Sequence, residues 1–126
     1  MAEAKLFLYA RKIDDISKQL EKAIKLFVPE TNIEIRLSID SLSDSLSHSA
    51  NHNTIAILLA AGKKDLDDLL TIYDLLVTIH CILILPDDDM ETIAKGHKLY
   101  PRFISYTNSD FKDTGAVLEK ILKTIK

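Results

Sequence analysis

Along the chain, short apolar runs alternate five times with stretches in which apolar residues return every three or four positions. The first run, Lys5 to Ala10, is expected to be a strand. Asp14 or Asp15 then offers a helix N-cap, and Ile16, Leu20, Ala23, Ile24 and Phe27 recur at helical spacing until Pro29 stops them. Ile33, Ile35, Leu37 and Ile39 alternate with Glu34, Arg36 and Ser38, a period of two that predicts a second strand. From Asp40 to Ala50 only Leu42 and Leu46 mark a helical stripe, with serines around it, and Asn51 to Asn53 reads as a loop. Thr54 to Ala61 is apolar without a break and predicts a third strand, followed by a helix marked by Leu66, Leu69, Leu70 and Tyr73. Thr78 to Leu85 predicts a fourth strand. Pro86 to Asp89 ends it and starts a short helix carrying Met90, Ile93 and Ala94. Pro101 precedes a fifth strand, Arg102 to Tyr106, and Val117, Leu118, Ile121, Leu122 and Ile125 mark the last helix.

Repeated strand-helix alternation predicts right-handed crossovers and a three-layer α/β/α domain, a parallel sheet with helices on both faces. Strands one, three and four are unbroken apolar runs, as expected of strands covered on both sides. The second alternates, and the fifth mixes in Arg102 and Ser105, as expected of sheet edges. Edges at two and five give the flavodoxin-like order 2-1-3-4-5. With 126 residues, 47% of them hydrophobic and 28% charged, one domain spanning 1–126 accounts for the chain.

A formal net charge of −3 gives no electrostatic ground for binding nucleic acid or an anionic membrane. Cys81 is the single cysteine, so neither an intramolecular disulfide nor a thiolate metal cluster can form. Neither a signal peptide nor an apolar run of membrane-spanning length is evident, and a reduced, cytoplasmic protein is expected.

Open parallel sheets place ligands beyond the carboxyl ends of the strands where the order reverses, here between strands one and three. No glycine-rich phosphate loop follows the first strand, and no serine stands on a strand-to-helix elbow, which removes nucleotide-fold and hydrolase readings. Cys81 and His80 lie within the fourth strand and are expected in the core. Arg11, Lys12, Lys63 and Lys64 flank the crevice, either as an anion-binding set or as solvated loop residues. Asp14, Asp15 and Asp87 to Asp89 could meet at a divalent cation from two loops, or cap helices. Ser41, Ser43, Ser45, Ser47 and Ser49 could be phosphorylated, or simply line an exposed, poorly formed helix.

From Leu58-Leu59-Ala60 through Asp67-Asp68-Leu69-Leu70, and then from Ile82 to Pro86, Ala94 to Gly96 and Phe103 to Tyr106, the order and spacing of elements resemble the receiver domains of response regulators. The resemblance covers the whole scaffold. It implies that a phosphoryl-accepting aspartate would end the third strand, where this chain has Ala60 or Ala61. The acidic pair that holds Mg²⁺ would fall on Tyr9 to Arg11, the Ser or Thr on Leu85 or Pro86, the lysine on Ser105 or Tyr106, and its following proline on Thr107. None of these five positions carries the family's chemistry. The resemblance therefore implies a degenerate receiver with no cofactor or metal and no catalysis. It would work through a protein partner in signalling, or as a homodimer, on a face bearing Met90, Ile93, His97, Phe103 and Tyr106. The alternative from the residues themselves is a small anionic ligand held in the crevice by Arg11, Lys12, Lys63 and Lys64.

Overall fold

The computed structural model describes residues 4–49 and 53–125. Five strands, β1 (Lys5–Tyr9), β2 (Ile33–Arg36), β3 (Thr54–Leu59), β4 (His80–Leu85) and β5 (Phe103–Tyr106), form one parallel sheet in the order β2-β1-β3-β4-β5. The expected order is the one observed. Six helices cover it: α1 (Asp15–Lys25), α2 (Ile39–Ser49), α3 (Lys63–Leu70), α4 (Tyr73–Leu76), α5 (Met90–His97) and α6 (Lys112–Ile125).

Because side chains alternate across a strand, each continuous apolar strand feeds two cores. Leu6, Leu8, Ile55, Ile57, Ile82 and Ile84 meet α1 and α6 on one face, through Leu20, Ile24, Leu118 and Ile121. Phe7, Tyr9, Ala56, Leu58, Leu83 and Leu85 meet α2 to α5 on the other, through Leu42, Leu46, Leu66, Leu69 and Leu76. Burying one such leucine is worth about 2 kcal/mol, so two interleaved layers give the sheet its driving force. Gly96 lets α5 lie close on β4: a Cβ there would stand 3.1 Å from Leu83 and 3.2 Å from Leu85.

Several boundaries differ from the sequence pattern, for local reasons. The alternation through Leu37 and Ile39 stops at Arg36, because Ser38 turns the chain into α2. Its Oγ accepts from the Ser41 amide at 3.1 Å and its carbonyl from the Leu42 amide at 3.0 Å. Leu37 is left 45% exposed and Ile39 enters the helix. The serine-rich stretch is a regular helix, since Leu42 and Leu46 are both buried. Its expected end at Ala50, and the loop residues Asn51 and His52, lie outside the described residues. The single helix expected from Leu66 to Tyr73 is two, α3 and α4. Thr71 returns its hydroxyl to the Asp68 carbonyl at 2.5 Å, and Ile72 leaves helical geometry at φ −113° and ψ 25°. β4 starts at His80 because Thr78 closes α4 by donating to the Leu75 carbonyl.

Candidate functional site

At the carboxyl ends of β1 and β3 lies a crevice of about 420 Å³. Ala10 and Leu59 form its apolar floor, and Arg11, Lys12, Asp14, Lys64 and Asp65 supply its charges. The switch in strand order opens it: β1 sends its chain to α1 on one face, and β3 sends its chain to α3 on the other.

Its organising residue is Asp65. α3 begins after Gly62, an N-cap with no side chain to satisfy the first amides. Asp65, in the first turn, reaches back instead, and its Oδ2 accepts from the Ala61 amide at 2.8 Å. The carboxylate is thereby only 2% exposed, and its Oδ1 accepts from the Arg11 guanidinium at 3.1 Å across the crevice. A buried carboxylate needs such a partner. The hydrogen bond and charge of Asp65 push the Arg11 guanidinium pKa still higher. Burial, and then the negative charge of Asp65, push the Tyr9 hydroxyl up to about 12. At physiological pH the Tyr9 phenol is therefore neutral, buried in the core beside the Arg11–Asp65 pair rather than in the crevice lining.

The four basic residues are not gathered into one set. Arg11 is engaged by Asp65. Lys63 lies outside the crevice lining and pairs with Glu91 of α5 at 3.2 Å, which raises its pKa. Lys12 and Lys64 do line the crevice. The aspartates are divided as well. Asp14 caps α1, its carboxylate accepting from the Ser17 amide at 2.9 Å while the Ser17 hydroxyl accepts from its own amide at 2.8 Å. Asp87 follows β4, two strands from β1, and is held below the ordinary carboxylate range by the Thr92 hydroxyl and the Asp89 amide. Asp89 occupies the N-cap position of α5 but makes no side-chain capping bond. Among the described residues no three His, Cys, Asp or Glu side chains stand close enough to share a metal ion.

The receiver-like positions can now be placed. Ala60 is fully buried, and its amide donates to the Ile84 carbonyl at 3.0 Å. Tyr9, Ala10 and Leu85 are core residues. Ser105 is 1% exposed and turns its hydroxyl to Asp113 of α6 at 3.3 Å, and Thr107 donates to the Pro86 carbonyl at 3.3 Å. Cys81 is buried, its thiol pushed up to about 12 by burial. His80 stands half-buried at the very start of β4 rather than in its middle. Ser45 accepts from Arg36 Nε at 2.6 Å, so one serine of α2 is tied to the β2 edge.

The residues expected on one interaction face occupy both sides of the sheet edge. Met90 is 89% exposed and His97 is exposed, while Ile93 and Tyr106 are half-buried against the α2–α5 core. Phe103, three residues before Tyr106, necessarily points the other way and packs against the α1–α6 core.

The sequence pattern alone assigns Asp65 no role. The available signal was an acid three residues after a glycine N-cap, a position suited to capping. It gave no indication of the partner, 54 residues away.

No protein-family model matches this chain, and no curated protein matches it. Among solved structures it is similar to a response regulator receiver domain protein (CheY-like) from Methanospirillum hungatei JF-1. The two share 14% identity, with a TM-score of 0.63 over 97% of this chain and 96% of that one. At that identity the likeness establishes the fold: this chain has the five-stranded architecture of a CheY-like receiver domain.

Proposed function

We propose that this chain is a non-catalytic signalling module that keeps the receiver scaffold, has given up phosphoryl transfer, and acts by binding a protein partner. The observation that carries this reading is the Arg11–Asp65 pair beside Ala60. A phosphoryl acceptor needs a carboxylate oxygen free to attack, a cation beside it and an open approach. Here the strand end offers a methyl group. The buried carboxylate of Asp65 nearby has both oxygens engaged, one by the Ala61 amide and the other by the Arg11 guanidinium, whose positive charge disfavours a metal ion beside it.

The working surface of this reading is the edge formed by α5, β5 and α6. β5 is a four-residue edge strand, short enough to be covered only in part, with Met90 and His97 exposed beside it. α6 adds Asp113, Glu119, Lys120 and Lys123, a rim of mixed sign that suits a two-fold contact. Sedimentation velocity at micromolar concentration tests the simplest form, a homodimer. A concentration-dependent dimer that dissociates in Tyr106→Glu and Met90→Glu supports it. A monomer at every concentration, with both variants behaving identically, removes self-association.

A further inference from the structure

A second groove, on the opposite face from the α5 helix, lies between the later turns of α1 and the start of α6 and encloses about 590 Å³. Ala23, Leu26, Phe27 and Phe111 form its apolar wall. A lone exposed leucine is ordinary, but Leu26 at 79% exposure adjoins Phe27 at 36%, and both border one concavity. The Phe27 ring is seated on α6 at the one residue there without a side chain: a Cβ on Gly115 would stand 2.8 Å from its Cε2. Phe111 is held in the left-handed region at φ 63°, with its amide bonded to Ser109 Oγ at 2.9 Å. That conformation is unfavourable for a bulky residue, and here it turns the ring into the α1–α6 core, 1% exposed, where it backs the groove. Beyond Phe27 lies a smaller cavity of about 190 Å³, bordered by Val28 and Leu122.

Two lysines stand at the rim. Lys22 forms no ion pair with any described residue. Lys112 faces Asp110 at 3.9 Å, but the other carboxylate oxygen of Asp110 already accepts from the Lys112 amide at 3.0 Å. Counting Asp110 against them, the rim keeps a net positive charge above an apolar wall.

We propose that this groove binds a small amphipathic carboxylate, its acyl or aryl body against Ala23, Leu26 and Phe27 and its head between Lys22 and Lys112. The volume falls within the roughly 300–1,000 Å³ of small-ligand sites. A longer body displaces the Phe27 ring from Gly115 and reaches the smaller cavity behind it. The site is remote from the crevice and does not depend on the signalling role proposed above.

Amide NMR titration of the full chain tests this, with decanoate below its micellar concentration as ligand and decanol as its neutral counterpart. Saturable shifts at Ala23, Leu26, Phe27 and Gly115 are expected. Reversing both lysines (Lys22→Glu, Lys112→Glu) should weaken decanoate by about tenfold and leave decanol unchanged. Leu26→Gln should weaken both. These three side chains are exposed, so the variants retain the fold, which their melting curves verify. Absence of a saturable shift overturns the site. Equal binding of decanoate to the parent and the charge-reversed chain overturns the carboxylate assignment. Shifts of the same amides with protein concentration alone overturn it in favour of a second copy on the groove.

Discussion

Removing Asp65 should cost this fold about 2 kcal/mol, although the residue lies at a loop-helix junction and belongs to no apolar cluster. Asp65→Ala deletes the acceptor for the Ala61 amide and the partner of Arg11. A hydrogen bond to a charged group contributes about 1.5–3 kcal/mol. The lower end applies here, because Ala61 is exposed and its freed amide regains water. The ion pair adds little by itself, since Arg11 is 48% exposed and solvent screens it. Arg11→Ala leaves the buried carboxylate with only the Ala61 amide and should cost about 1 kcal/mol. With both gone, no unpaired charge remains, so the double variant should lose less than the two single costs added, by about 1 kcal/mol. Urea unfolding at pH 7, followed by circular dichroism on all four proteins, measures each number. For a domain of this size, 2 kcal/mol corresponds to a melting shift on the order of 8 °C. A coupling below about 0.3 kcal/mol, or an Asp65→Ala variant as stable as the parent, would refute the account of how α3 is anchored.

Other expectations follow from the core and its titrating groups. Gly96→Val should destabilise by about 3 kcal/mol, because the added carbons meet Leu83 and Leu85 beneath α5; a change under 0.5 kcal/mol in urea unfolding would show that α5 can lift without cost. Cys81 should resist a disulfide-exchange reagent at pH 8 in the folded chain and react fully once unfolded; rapid native labelling would contradict its burial. The thiol and the Tyr9 hydroxyl both titrate near 12 when folded, against 9.0 and 10.0 otherwise, so above pH 9 the unfolded chain holds fewer protons than the native one. The contribution of these two groups is therefore complete below pH 9 and falls as pH rises toward 12, and Cys81→Ala should flatten the first part of that limb. Glu34 has the opposite sign: Lys5, then Arg36, hold its carboxyl below the usual range, so its contribution is present above the unfolded carboxylate pKa and disappears in acid, a loss that Glu34→Gln should not show.

The sheet was legible because its signal is local and redundant. Each central strand is a continuous apolar run, and continuity means cover on both faces whatever the neighbours are. The weak alternation of β2 and the polar residues of β5 then placed the edges. Failures came where one polar side chain redirects the backbone. Ser38 turned an apparent strand into a helix start, and Thr71 divided one helix into two. That β3 runs into Ala60 and β1 into Arg11, neither of them an acid, could be read residue by residue. The Arg11–Asp65 pair could not, because the burial of Asp65 depends on Arg11 from the end of another strand, a contact without periodicity. Phe27 kept its helical spacing and still ended outside α1, drawn onto Gly115 of α6.

The central claim is that the crevice has exchanged phosphoryl chemistry for a fixed ion pair. Incubation with acetyl phosphate and Mg²⁺, followed by intact-mass measurement with and without hydroxylamine, tests it most directly. The account predicts no phosphoryl adduct on the chain, and none on Arg11→Ala, in which the crevice is opened but Ala60 still lacks an acceptor. A hydroxylamine-labile phosphate mapped to Asp65, or to any other aspartate bordering the crevice, would contradict it.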